Sequence, residues 1–242
     1  MLVAVLSDIH SNLEALEAVL GSIGTVDAIW HLGDVVGNGP EPEAVVARLR
    51  EIGAVGVKGN HDAAVCGSLS MEDFNPDARA ADEWTRARID QATLAYLEGL
   101  PETLAPEGTD FTLVHGSARG PIWEYLTDTF GARENMGFFE TRFCLVGHTH
   151  QPLVLRERRS HVEALVPDPE SRLALDKRRA FLNPGSVGQP RDGDPRASYL
   201  ILDTAAGHAT WQRVAYDISA TQTAMRAAGL PPWLARRLSF GH

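Results

Sequence analysis

Five short apolar runs in this chain each stop at a motif built from glycine, histidine and carboxylate residues. Leu2–Leu6 precedes Asp8-Ile9-His10, and Val26–Leu32 runs into Gly33-Asp34. Ala54–Val57 precedes Gly59-Asn60-His61-Asp62, Phe111–Val114 precedes His115-Gly116, and Phe143–Val146 precedes Gly147-His148-Thr149-His150. Short apolar runs bounded by turn residues read as buried strands. Between the first three runs the periodicity is helical. Leu13, Leu16, Val19 and Leu20 follow a cap at Ser11 or Asn12 and end at Gly21 or Gly24. Pro40 and Pro42 start a second helix with Val45, Val46 and Leu49 on its apolar face. Strand–helix–strand alternation predicts a parallel sheet with right-handed crossovers. Ligands of such sheets collect beyond the carboxyl ends of the strands, where every one of these motifs begins.

Residues 63–109 are mostly polar with a helical pattern (Pro76, Trp84, Ile89, Leu94, Leu97, Leu100) and are expected to form helices partly roofing the site. Leu153–Leu155, Phe181-Leu182, Tyr199–Leu202 and Trp211–Val214 lack intervening helices and suggest a second, mixed or antiparallel sheet. His161–Arg179 is expected to be an exposed excursion. The Thr221–Gly229 helix and the Pro231–Phe240 tail are expected to be peripheral. The expected architecture is α/β, a four-layer α-β-β-α sandwich of two mixed sheets flanked by helices. It forms a single domain over residues 1–242 with a helical insertion at about 63–109.

Composition limits the partners. A net charge of −10 argues against a nucleic-acid polymer as the default partner, because such binding needs a basic face. The Leu2–Leu6 run has no basic flank or cleavage site, and no segment is long enough for a membrane span. Cys66 and Cys144 have no metal-finger spacing. Cys144 sits in an apolar run as a small core residue, and a reducing cytoplasm is the simplest compartment.

The motifs supply only oxygen and imidazole nitrogen donors, which suits Mn, Fe, Zn, Ni or Co rather than a thiolate-bound structural zinc. A lone His or Asp in a loop is usually a polar or capping residue, so the weight lies in the ordered set. In Asp-x-His and His-x-His, residues i and i+2 of an extended segment point the same way. Gly59 and Gly147 are read as allowing tight turns beside the ligands, and Thr149 as structural. His31 is read as buried or supporting rather than ligating. Trp123 and Tyr125 alternate and are either core or a stacking surface for an organic leaving group.

In order and placement these motifs, with the later run Asn183-Pro184-Gly185-Ser186-Val187-Gly188-Gln189-Pro190-Arg191, resemble the calcineurin-like metallophosphoesterase superfamily. The likeness is to its small bacterial phosphodiesterase-related members, from Asp8 to about Asp203. The resemblance implies two divalent metal ions. Asp8, His10, Asp34 and His150 would hold the first, and Asn60, His115, His148 and the bridging Asp34 the second. It implies hydrolysis of a small phosphate ester, a phosphodiester by preference, through in-line attack of a hydroxide held between the ions. His61 would assist the leaving group. Asp62 would either hold that imidazole or cap the following helix. Arg119 would bind a phosphate oxygen or form a surface salt bridge, with Arg191 a weaker candidate. Asn38, where many relatives carry Tyr, falls at a substrate-facing position. A phosphomonoester, a dinucleoside polyphosphate or a phosphoprotein would suit the same site, and a non-catalytic protein-binding scaffold is the reading from another class.

Overall fold

A computed structural model describes residues 1–242. Its strands are β1 (Leu2–Leu6), β2 (Ala28–His31), β3 (Val55–Gly56), β4 (Thr103–Leu104), β5 (Phe111–Val114), β6 (Phe143–Leu145), β7 (Pro152–Glu157), β8 (Val162–Leu165), β9 (Arg172–Ala174), β10 (Ala180–Pro184), β11 (Ala197–Asp203) and β12 (His208–Val214). Its helices are α1 (Leu13–Ile23), α2 (Pro42–Glu51), α3 (Asn60–Cys66), α4 (Pro76–Arg86), α5 (Gln91–Gly99), α6 (Thr129–Asn135), α7 (Ile218–Ala227) and α8 (Pro232–Arg237).

Two six-stranded mixed sheets run β3-β2-β1-β11-β12-β9 and β4-β5-β6-β10-β7-β8. β1, β2 and β3 are parallel, as are β5, β6 and β10. Alternation along β1 and β2 sends Val3, Val5 and Trp30 into the gap between the sheets, where they meet Leu113, Leu145, Leu182, Leu200 and Trp211. The opposite face of the first sheet carries Leu6 and Tyr199 against Leu16, Val19, Val45 and Leu49 of α1 and α2. The opposite face of the second carries Cys144, Leu155 and Phe181 against Ala132 of α6 and neighbouring Met136 and Phe139. This is the expected four-layer sandwich.

Three expectations change. The late strands do not build a separate second sheet: β11, β12 and β9 complete the first, and β10, β7 and β8 complete the second. The reason lies in β1, whose residues Val3–Leu6 are fully buried. It needs a hydrogen-bonded neighbour on each side, and β11 supplies the second. The stretch 161–179 is not only an excursion, because it contributes the edge strands β8 and β9. The C-terminal tail is not peripheral. α7 and α8 pack Met225, Leu234, Ala235 and Leu238 against Ala81 of α4 and reach the site below.

The local signals act as expected at the helix starts. The Asn12 side chain accepts from Ala15 N, and Pro42 opens α2. No helix is long and apolar enough to cross a membrane.

A buried histidine–carboxylate cluster at the strand ends

The seven residues expected as ligands come together at the carboxyl ends of β1, β2, β3, β5 and β6. Ligand atoms of Asp8, His10, Asp34 and His150 lie within 4.8 Å of one another, and so do those of Asp34, His115 and His148. Asn60 Oδ1 is 2.9 Å from His115 Nε2, which puts it in the second group. Asp34 is common to both groups.

The hydrogen bonds around the rings fix where their lone pairs point. His115 Nδ1 donates to Leu32 O (2.8 Å), His150 Nδ1 to Gln189 O (2.6 Å) and His148 Nε2 to Trp123 O (3.1 Å). His10 Nδ1 lies 3.3 Å from Val36 O and 3.2 Å from the Asn38 side-chain amide. Each ring thus spends one N–H on the surrounding shell and turns its other nitrogen inward. His10 Nε2 then faces His150 Nε2 at 3.2 Å, and His115 Nε2 faces His148 Nδ1 at 3.1 Å. Asp34 Oδ2 is buried without a donor. Facing lone pairs and an orphaned carboxylate oxygen fit a bound cation at each group, with the outer hydrogen bonds holding the rings in place.

The backbone reaches this arrangement in a way the sequence reading did not foresee. The Asp-x-His and His-x-His segments are not extended. Asp8, His10, Asp34, His148 and His150 all have φ between 49° and 65°, in the left-handed region. Asn38 joins them at 58°. Asp, Asn and His tolerate that region better than most residues. Gly59 and Gly147 have ordinary φ and are required for another reason. A Cβ on Gly59 would sit on the Asp34 carboxylate, and one on Gly147 would meet Ser7 Oγ and lie 3.1 Å from Asp8 Oδ2.

Charge is concentrated here. Burial pushes the Asp8 carboxyl up to about 6, despite His115. Burial likewise holds His10, His148 and His150 well below the ordinary imidazole range. Burial also opposes charge on His115, but Asp34 and Asp8 outweigh it and raise that ring to about 9. His115 is therefore the ring on which a cation at Asp34 would compete with a proton.

His61 stands beside the cluster on the first turn of α3, its ring centroid 4.8 Å from that of His10. Its Nδ1 donates to Asp82 of α4 at 2.9 Å. Burial lowers its basicity, but Asp82 and Asp34 outweigh burial and raise it to about 9. Asp62 does not touch the imidazole. It accepts from Gly59 N (2.9 Å) and Val36 N (3.1 Å), tying the start of α3 to the loop after β2. Of the two roles weighed for Asp62, the capping one describes its contacts.

A cavity of about 380 Å³ opens onto the cluster, lined by His61, Asn60, His148 and Asn38 together with Phe74, Trp123, Tyr125, Arg191 and Arg237. Tyr125 stacks on the His148 ring at 3.8 Å, and Phe74 joins Trp123 at 4.9 Å and His61 at 5.1 Å. Trp123 and Tyr125 remain 36% and 54% exposed, so they form a wall rather than core. Arg119 does not line this cavity; Glu124 and Glu134 hold its guanidinium in ion pairs. His31 is buried under Gly56 with its Nε2 3.0 Å from Tyr96 OH, outside the cluster.

Asp82, Phe74 and Arg237 escaped the sequence reading. Asp82 left one signal. It shares the buried face of α4 with Ala78, Ala81 and Thr85, an odd place for a carboxylate that lacks a partner nearby.

A family model for the calcineurin-like phosphoesterase superfamily domain matches residues 1–207. An uncharacterized protein of Methanocaldococcus jannaschii is 38% identical over 99% of this chain and 98% of its own length. The crystal structure of a metallophosphoesterase from Sphaerobacter thermophilus superposes with a TM-score of 0.91 at 47% identity, covering 100% of this chain and 99% of that one. A hypothetical protein from Pyrococcus horikoshii OT3, 20% identical, shares the fold with a TM-score of 0.83 over 100% of this chain and 98% of its own. This chain belongs to the calcineurin-like phosphoesterase superfamily and is, by that membership, a metal-dependent phosphoester hydrolase.

Proposed function

We propose that the chain hydrolyses a small phosphodiester at a dinuclear metal centre, with Asp8, His10, Asp34 and His150 holding one ion and Asp34, Asn60, His115 and His148 the other. The observation that carries this is Asp34, which stands between two groups of inward-turned ligands with one carboxylate oxygen free of any donor. A pair of divalent ions supplies charge neutralisation on the phosphate and a nucleophile at neutral pH.

The chain's own residues do the rest. His61 lines the cavity with Nδ1 committed to Asp82, which leaves Nε2 to hand a proton to the departing oxygen. Asp82 keeps the ring in that tautomer and orientation. Asp62 fixes the turn that carries both Asn60 and His61. The aromatic wall of Phe74, Trp123 and Tyr125 gives an organic ester group of the substrate a surface to lie on. Asn38 lines the same cavity, and through His10 its side chain couples substrate contact to ligand position. The free thiols of Cys66 and Cys144 are in keeping with a reducing compartment.

The test is initial rates on paired chromogenic phosphomonoester and phosphodiester substrates, after chelation and re-addition of Mn²⁺, Ni²⁺, Zn²⁺ or Mg²⁺. Metal-dependent turnover of the diester is expected. Turnover of the monoester alone would replace the substrate class, and no turnover with any ion would remove the hydrolase assignment.

A further inference from the structure

Two guanidinium groups line the cavity over the cluster without an Asp or Glu side chain to neutralise them. Arg191 follows β10, and its backbone N–H donates to His150 O (3.3 Å). Arg237 closes α8. Both line the cavity with Asp34, Asn60, His61 and His148. Arg191 Nη2 donates to Gln189 Oε1 (2.8 Å), and its side chain also meets the Tyr125 hydroxyl, but its Nε is buried without a partner. Arg237 Nε donates to His242 O, leaving its terminal nitrogens free. No Asp or Glu side chain reaches salt-bridge distance of either group, and the one oxygen partner of Arg237 is His242 O at the last residue. Arg119 and Arg213, in contrast, are each neutralised by an acidic neighbour. Asp73 is the one other carboxylate beside Asp34 on the cavity wall.

Arg191 and Arg237 press on each other, and burial with this mutual repulsion lowers Arg237 to about 10. Both remain charged at neutral pH. Asp8 and Asp34 favour the charge on Arg191, but two guanidinium groups sharing one partly buried cavity still gain from an anion between them. A metal pair held at the cluster would neutralise one phosphate, leaving the guanidinium pair free for another. Arg237 also lies beyond residue 207, where the family match ends, so α8 adds it from outside the matched domain.

We propose that Arg191 and Arg237 form an anion subsite for a second phosphate group of the substrate, separate from the phosphoryl centre that is cleaved. This rests on the hydrolase reading above only for the identity of the first phosphate. Planar guanidinium forks suit a phosphate dianion, and charge-assisted hydrogen bonds to it are the stronger kind. The substrate class becomes a phosphodiester that bears a further phosphate.

The experiment uses two esters with one scissile centre: thymidine 5′-(4-nitrophenyl phosphate) and its 3′-phosphorylated form, assayed on the metal-reconstituted chain. The 3′-phosphorylated ester is expected to have a KM lower by about tenfold, and Arg237→Ala to bring the ratio close to one. Arg237→Gln, which keeps the aliphatic stem, serves if Ala disturbs α8. A second readout is calorimetric binding of thymidine 3′,5′-bisphosphate against thymidine 5′-monophosphate. The same preference is expected in the wild type, weakened by salt and lost in the Arg237 variant. Equal KM and equal binding in the wild type, or a preference that survives loss of Arg237, overturns the subsite. Bisphosphate-selective binding without turnover of either ester would instead retain the subsite and remove the hydrolase reading.

Discussion

The gap between the two sheets and the rim at their carboxyl ends are equally buried but built on opposite rules. The gap is filled by Val3, Val5, Leu113, Leu145, Leu182, Leu200 and Trp211, and its one committed polar contact is Trp211 Nε1 donating to Asn183 O. The rim is almost wholly polar, with Asp8, His10, Asp34, His115 and His150 each no more than 1% exposed. Seven of the eight non-glycine residues with positive φ belong to it: Asp8, His10, Ser11, Asp34, Asn38, His148 and His150. Residues held in such conformations cost on the order of 1–3 kcal/mol each unless the surroundings over-determine them, with Asp, Asn and His at the low end. The strands and their apolar gap hold the molecule together. The rim stores backbone strain, together with polar burial that a pair of cations would relieve. Stability and chemistry are thus separated by only a few residues along the same strands.

Substitutions on the two sides should fail in different ways. The largest effect is expected at His61. His61→Gln should lower kcat by about 10²- to 10⁴-fold while elemental analysis finds the metal content unchanged. Full turnover in that variant would sink the assigned role. Leu182→Ala, in the gap, should cost about 2–5 kcal/mol in chemical denaturation and leave kcat per folded molecule at the wild-type value. If metal content fell with it, the two regions would not be independent.

His31 sharpens the comparison because it is buried in neither region, on the helix-facing side of β2 beside Tyr96. Burial lowers it to about 4 from an ordinary 6.5. The unfolded chain therefore binds a proton that the folded chain refuses between those values, so stability falls as pH drops from about 6.5 to about 4. The full span is on the order of 3 kcal/mol. His31→Gln, which carries no charge in that window, should flatten that part of the stability–pH curve in denaturant titrations of the chelated protein. An unchanged slope would assign the acid lability to other groups. Asp82→Asn is the smallest expected change. It should lower kcat by about 10- to 100-fold with metal affinity retained, because it acts only through the His61 ring. An equal loss in Asp62→Asn with none in Asp82→Asn would reverse the roles of the two carboxylates.

Much of this was legible in the chain before folding. Asp8, His10, Asp34, Asn60, His115, His148 and His150 were readable because each follows an apolar strand, and parallel strands deliver their ends to one side. The Asp-x-His and His-x-His spacings read as extended segments, whereas the chain uses left-handed turns at Asp8, His10, His148 and His150. A two-residue repeat cannot distinguish these. Strand partners were not legible: β11 and β12 carry the same alternation whichever sheet they join, and only the need of β1 for a second neighbour decides it. β8 and β9 are exposed edge strands without an apolar rhythm. The contributions of Asp82 and Arg237 depend on how α4 and α8 lean over the cavity, a packing matter that no spacing in sequence records. Arg119 shows the reverse case, a well-placed arginine in a motif whose charge Glu124 and Glu134 consume.

The most direct test of the central claim is a count of metal ions per chain, by elemental analysis after reconstitution and gel filtration, for the wild type and Asp34→Asn. The shared carboxylate predicts two ions per wild-type chain and loss of both ions and turnover together in Asp34→Asn. Full activity with a single ion, or an Asp34→Asn chain that keeps two, would contradict it.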